Sequence, residues 1–291
     1  MCNSVAGVGI EIIPSGATLG ATVHGVALAR ISEVEWDVVL NAFHTYGVLV
    51  FPGQHLSLEE QITLSRRLGT LEPVGRTAPG GLTDIVRISN LNADGSVNDD
   101  PDSAAMRLVI GNMAWHSDSS FRVPPAKASL LSCERTPSVG GETEFADMRA
   151  AYDSLDDDLR HLLDDRLVTH SYLYSQGGVG GLDSLNFTDE QRATMGPTDR
   201  LAINVHDITG RRSLCIGRHA YRLSGMNDDD AQALLDDLLA GACRPPRLLL
   251  HQWQVGDIVW WDNRSVLHRA HPWNYAEPRI MWHTRVAGDA A

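Results

Sequence analysis

Residues 255–270 read Val255-Gly256-Asp257-Ile258-Val259-Trp260-Trp261-Asp262-Asn263-Arg264-Ser265-Val266-Leu267-His268-Arg269-Ala270. Asp257 to Trp261 has the composition of a β-strand, and Asp262-Asn263-Arg264 that of a turn. Ahead of them, Val255-Gly256-Asp257 reads as a hairpin turn. The same grammar recurs at Val48–Phe51, Ala128–Glu134, Leu201–His206, Arg247–Trp253 and Arg279–Val286, each bounded by Gly, Pro, Asn or Asp. Short strands without a regular helix between each pair argue against a doubly wound parallel sheet. The pattern fits a mainly β fold with peripheral helices, whose core is a double-stranded β-helix, the jelly-roll of cupin-like proteins.

The helices announce themselves by their starts. Ser32 with Glu35 forms a capping box ahead of Trp36, Val39, Leu40 and Phe43, which share one helical face, and Gly47 ends that helix. Ser57 with Glu60 repeats the device before Ile62 and Leu68, with Gly69 as its stop. Ser154 with Asp157 predicts a third helix. Asn227 precedes a fourth, which carries Leu234, Leu235, Leu238 and Leu239. These stripes are core-facing surfaces. Two polar stretches, Asn90–Ser103 and Ser175–Thr198, read as a surface loop and as a long irregular excursion with the character of a lid. The chemistry below draws on residues on both sides of them, so residues 1–291 are expected to form a single domain.

The chain has 291 residues and a formal net charge of −13. Such an acidic chain repels phosphate backbones, which disfavours nucleic-acid binding. No apolar run reaches the length of a membrane span. Met1–Ile10 lacks the basic start and apolar stretch of a signal peptide, so a cytoplasmic address is expected. Cys2, Cys133, Cys215 and Cys243 form no close pair, which excludes a CxxC redox site and a zinc ribbon and leaves reduced thiols.

Trp115-His116-Ser117-Asp118 places an imidazole and a carboxylate two positions apart. At a strand end, residues two apart project the same way, so one metal could take both. A third ligand must come from a distant strand, and His268 lies in the right place. Two histidines and one carboxylate on one face of iron leave three positions open for a co-substrate and O₂. Arg279 follows His268 by eleven residues, on the next expected strand. A 2-oxoglutarate that chelates iron points its far carboxylate away from the metal, and a planar guanidinium is a two-pronged donor for it. Thr143, in Gly140-Gly141-Glu142-Thr143, adds a hydroxyl donor. Each residue also has a plainer reading: a core-satisfied histidine, a surface ion pair for Arg279, an ordinary strand threonine at position 143. The conjunction carries the chemistry.

At these residues the chain resembles the TauD/TfdA family of Fe(II)/2-oxoglutarate-dependent dioxygenases. The resemblance runs from residues 16–21 and 48–54, through 115–121 and 140–152, to 261–270. The stretches around His116 and Thr143 look most similar to the TfdA branch, the 2,4-dichlorophenoxyacetate or aryloxyalkanoate dioxygenases. It implies that His116, Asp118 and His268 bind Fe(II), and that Thr143 and Arg279 hold 2-oxoglutarate. Asn112 would line the pocket and Trp115 would back the metal site or pack the core. The implied reaction hydroxylates a small organic acid, an aryloxyalkanoate, which is cleaved to a phenol and an oxo acid while 2-oxoglutarate and O₂ become succinate and CO₂. Relatives in this family are often homo-oligomers, and the resemblance implies the same here.

The sequence departs from the family at one informative place. Relatives carry a second arginine four residues after the first, where it pairs with the substrate anion; here that residue is His283. Arg285 is a candidate substitute. A lysine of the TfdA branch corresponds to Ser96. Three other functions remain open at this level: the same chemistry on an amino acid, sulfonate or natural-product intermediate; a non-catalytic cupin-like metal- or ligand-binding module; and zinc hydrolysis, which would leave Arg279 and Thr143 without purpose.

Overall fold

The computed structural model describes residues 3–4, 9–73, 81–177, 189 and 195–289. The chain begins with β1 (Asn3–Ser4), β2 (Glu11–Pro14), β3 (Ala21–His24), α1 (Glu33–Tyr46), β4 (Val48–Phe51) and α2 (Leu58–Arg66). Then come β5 (Val86–Ser89), α3 (Ala104–Gly111), β6 (Ala126–Arg135), β7 (Thr143–Asp147), α4 (Met148–Asp153), α5 (Asp157–Leu163), β8 (Leu167–His170) and α6 (Tyr172–Gly177). The remainder holds β9 (Thr198–Leu201), β10 (Ile203–Val205), β11 (Arg212–Leu214), β12 (Ala220–Leu223), α7 (Asp228–Ala242), β13 (Leu248–His251), β14 (Ile258–Asp262), β15 (Val266–Ala270) and β16 (Ile280–Ala287).

An eight-stranded sheet runs in the order β1-β2-β3-β4-β14-β6-β16-β5, and a second sheet in the order β13-β7-β15. Alternation along the strands explains how they layer. Val48, Val50, Leu131, Cys133, Val259, Trp261 and Met281 from the large sheet pack with Phe145 and Val266 from the small one. The intervening residues face the other way. Leu49, Phe51, Leu130, Trp260 and Trp282 meet Trp36, Val39, Phe43 and Ile62 of α1 and α2. Ala146 and Leu267 meet the side of the fold that contains α4 and α7. Both faces of β14 are therefore buried, which is why its sequence is apolar throughout. Each fully buried large side chain contributes roughly 1.5–3 kcal/mol by leaving water. This is a jelly-roll core with helices outside, as expected.

The capping boxes at Ser32/Glu35 and Ser57/Glu60 form as read, and Gly47 closes α1 in the left-handed region at φ 73°. Asn227 caps α7 by accepting from the Asp230 amide at 2.9 Å. Three expectations are corrected. Ser154 does not start the third helix: Asp147 already caps α4, Ser154 is that helix's C-cap, and Asp156 caps α5. Val255-Gly256-Asp257 is not a hairpin, because β13 pairs with β7 whereas β14 pairs with β4 and β6. It is a corner between the two sheets, held by amides of Gln54 and His55 donating to the Gly256 carbonyl. Leu201–His206 is not one strand: it divides at Ala202, with β9 pairing to β8 and β10 to β11. Much of the expected excursion, residues 178–188 and 190–194, lies outside the described residues. Among the described residues no helix is long and apolar enough to cross a membrane.

Candidate metal centre

His116 lies on no regular strand, yet its main chain exchanges two hydrogen bonds with His268 of β15, N–H to O=C at 3.0 and 2.8 Å. In a directly opposed antiparallel pair the side chains leave the sheet on the same face. The two imidazoles accordingly sit with ring centroids 4.1 Å apart. Asp118 follows in a turn that returns its carboxylate to them. One ligand atom from each of His116, Asp118 and His268 lies within 4.8 Å of the others.

The loop that carries Asp118 is fixed from several sides. Its amide donates to Asn263 Oδ1 at 3.0 Å, and its Oδ2 accepts from Ser129 Oγ at 2.7 Å. Asn263 in turn donates to Ser129 Oγ and accepts from Trp261 Nε1. Ser119, which takes a left-handed φ of 52° despite having a side chain, donates to Glu72 Oε2 at 2.7 Å. His116 Nδ1 is 2.8 Å from the Ala114 carbonyl, so it carries the proton and leaves Nε2 as a lone-pair donor. Neither Asn263 nor Ser129 was singled out in the sequence. Asn263 reads there only as a turn residue, and Ser129 and Glu72 have no local signal at all.

Burial pushes His116 down to about 4 against the pull of Asp118, and burial also holds His268 well below its ordinary value. Burial alone would raise Asp118; the imidazoles of His283, His268 and His116 outweigh it and hold the carboxyl well below the usual range. At neutral pH the cluster is two neutral imidazoles and one carboxylate, the protonation state that metal ligation requires. The Nδ1 of His268 is sealed from solvent without a hydrogen-bond partner among the described residues. The donor set suits a divalent first-row metal of the non-haem iron type.

Arg279 is buried, and its guanidinium lies 5.3 Å from the Trp273 ring. Its Nε donates to the Gly141 carbonyl at 3.1 Å. Burial lowers its pKa to about 10, so it stays charged at neutral pH. No carboxylate forms an ion pair with it among the described residues. Gly141 has φ 73°, and a Cβ there would stand 3.1 Å from Arg279 Nε, so glycine makes room for the guanidinium. Thr143 begins β7, and its Oγ1 accepts from Trp253 Nε1 at 2.9 Å, which leaves its hydroxyl hydrogen free to donate.

The remaining residues lie as follows. His283 shares the inner face of β16 with Met281; it stacks on Trp261, and its Nε2 is 3.5 Å from Asp118 Oδ2. Arg285 is engaged elsewhere, its Nε donating to the buried Glu72 at 3.0 Å. Asn112 is the C-cap of α3, and its carbonyl accepts from the Ala270 amide at 2.8 Å. Trp115 lies under the guanidinium of Arg269 at 4.5 Å. Ser96 sits in an exposed turn bonded to Asp94.

The family model described as "Taurine catabolism dioxygenase TauD, TfdA family" matches residues 11–286. A (S)-phenoxypropionate/alpha-ketoglutarate-dioxygenase of Delftia acidovorans is 44% identical over 284 residues, covering 96% of this chain and 95% of that protein. An alpha-ketoglutarate-dependent 2,4-dichlorophenoxyacetate dioxygenase of a Burkholderia species is 38% identical over 259 residues, covering 86% of this chain and 85% of its own. Among solved structures, AAD-2 in complex with Mn(II) and N-oxalylglycine is similar at a TM-score of 0.86 and 35% identity, covering 96% of this chain and 97% of that one.

Proposed function

The chain belongs to the TauD/TfdA family of Fe(II)/2-oxoglutarate-dependent dioxygenases, and from that premise we propose that its substrate is an aryloxyalkanoic acid. The observation that carries the reaction class is the convergence of His116, Asp118 and His268 on one point. The substrate class rests on the similarity to proteins named for phenoxypropionate and 2,4-dichlorophenoxyacetate.

In this reading His116, Asp118 and His268 hold Fe(II), and Arg279 with Thr143 takes the far carboxylate of 2-oxoglutarate. The bound metal and co-substrate supply the activation of O₂ that converts a C–H bond to C–OH. The chain's own residues do the positioning. Ala114 holds the proton of His116 on Nδ1, Ser129 and Asn263 fix the Asp118 carboxylate, and Trp261 and Phe145 enclose His268 against water. Trp253 orients the Thr143 hydroxyl toward donation. Hydroxylation of the carbon beside the ether oxygen gives a hemiacetal, which collapses to a phenol and an oxo acid. Because the ligands come from both halves of the chain, residues 1–291 act as one catalytic unit. A cytoplasmic address and a homo-oligomeric state belong to the same reading.

Purified protein given iron(II), 2-oxoglutarate and O₂ is expected to release phenol and succinate in equal amounts from (S)-2-phenoxypropionate or 2,4-dichlorophenoxyacetate. If a protein that binds iron(II) and 2-oxoglutarate forms no phenol from any aryloxy acid, the substrate assignment falls. His283, standing where relatives carry an arginine, favours a second reading: the same chemistry on another small molecule. Succinate release across amino acids, sulfonates and natural-product acids separates the two.

A further inference from the structure

Arg218 precedes β12 and is tied to the metal-binding segment through its main chain, whose amide donates to the Trp115 carbonyl at 2.8 Å. One arm of its guanidinium donates to the Gly111 carbonyl at the end of α3. The other terminal nitrogen, NH2, is sealed from solvent and has no acceptor among the described residues. No carboxylate forms an ion pair with it among the described residues. Arg285 and Arg122, by contrast, meet Glu72, and Arg269 meets Glu144. Burial makes the Arg218 cation harder to hold, and Tyr172 acts in its favour. An enclosed charged donor without an acceptor is costly, and such a group persists where a ligand completes it.

Its surroundings say what kind of ligand. The next residue, His219, faces the His116 ring edge-on at 6.2 Å. Phe121 stands 5.1 Å and Tyr172 5.8 Å from the His219 ring. Phe121, Tyr172 and His219 therefore form an aromatic cluster beside a metal ligand. The cation expected at position 283 is absent, and the imidazole there has its Nε2 3.5 Å from Asp118 Oδ2. Arg279, which also meets no acid among the described residues, stands apart against Gly141 and Trp273.

We propose that Arg218 binds the carboxylate of the substrate, with Phe121, Tyr172 and His219 against its aryl group. The proposal rests on the aryloxy-acid reading above. Arg279 then serves the anion of the co-substrate and Arg218 that of the substrate.

The test is equilibrium binding, without O₂, of phenoxyacetate and of its neutral amide to the iron(II)/2-oxoglutarate enzyme. Arg218→Gln is expected to weaken phenoxyacetate roughly 30- to 300-fold, the size of a lost charge-assisted pair, and to leave the amide unchanged. Arg218→Lys, which keeps the charge without the fork, should fall between. Equal weakening of acid and amide, or unchanged binding of the acid, overturns the proposal. If the wild type ignores aryloxy acids but binds another carboxylate that Arg218→Gln loses, the substrate class falls and the anion site stands. If it binds no carboxylate beyond 2-oxoglutarate, both fall.

Discussion

Asn263 shows how much one side chain outside the ligand set can decide. Its Oδ1 accepts from the Asp118 amide and from Trp261 Nε1, and its Nδ2 donates to the Ser129 hydroxyl that holds the Asp118 carboxylate. Asn263→Ala removes three bonds at once and leaves enclosed donors unmet, at roughly 1–3 kcal/mol for such a loss. Denaturant unfolding is expected to show that destabilisation, and titration with Co(II) a 10- to 100-fold weaker metal site, the usual scale for partners that orient a ligand. A variant that unfolds earlier yet binds metal as before would limit Asn263 to a packing role. His116, Asp118 and His268 were legible in the sequence only in conjunction, because histidines and acids are individually common in this chain. Asn263, Ser129 and Glu72 were not, because serine, asparagine and glutamate are ordinary at turns and surfaces until a distant partner meets them.

Strand β14 carries two adjacent tryptophans with different duties. Trp260 faces outward and packs edge-on with Trp36 and Phe43 of α1, whereas Trp261 faces inward against His268 and His283. Trp260→Ala is expected to cost about 3–5 kcal/mol of stability by opening a cavity, with the metal site's affinity preserved. Trp261→Ala should cost a comparable amount and also weaken metal binding, because Asn263 loses a partner and His268 loses a wall. Thermal unfolding with and without Mn(II) separates them: the metal-induced rise in Tm should survive in the first variant and shrink in the second. The period of two along this strand was readable in the sequence only as continuous hydrophobicity. A strand buried on both faces has no polar side to reveal which residue looks where.

Across the whole molecule, the two layers are tied at the turn after β14. Asp262 accepts from Arg264 through both carboxylate oxygens and from His206 Nε2 at 2.8 Å, and its amide donates to the Gly47 carbonyl at the end of α1. Burial would raise its pKa, but the bonds from His206 and Arg264 prevail and hold it far below the usual carboxylate range. A carboxyl depressed in the folded state stabilises fully above its unfolded value, about 3.9, and progressively less as the pH falls below it. The protein should therefore lose stability steeply below about pH 4. Asp262→Asn should be less stable at pH 7, by about 3–5 kcal/mol for a broken buried pair, and show a shallower acid decline. Parallel curves for the two proteins in urea at pH 7 and pH 3 would refute this linkage. The sequence by itself determined the apolar strands, the helix starts at Ser32, Ser57 and Asn227 and the three residues that converge as candidate metal ligands, since these follow from local periodicity, capping chemistry and the conjunction of ligand types. Tertiary structure alone decided that Val255-Gly256-Asp257 turns between sheets, that Arg285 meets Glu72 and that Arg218 reaches the metal-binding segment. Those outcomes depend on which distant backbone pairs with which, and the free energy that selects one pairing comes from burying two faces at once, information no single stretch of chain contains.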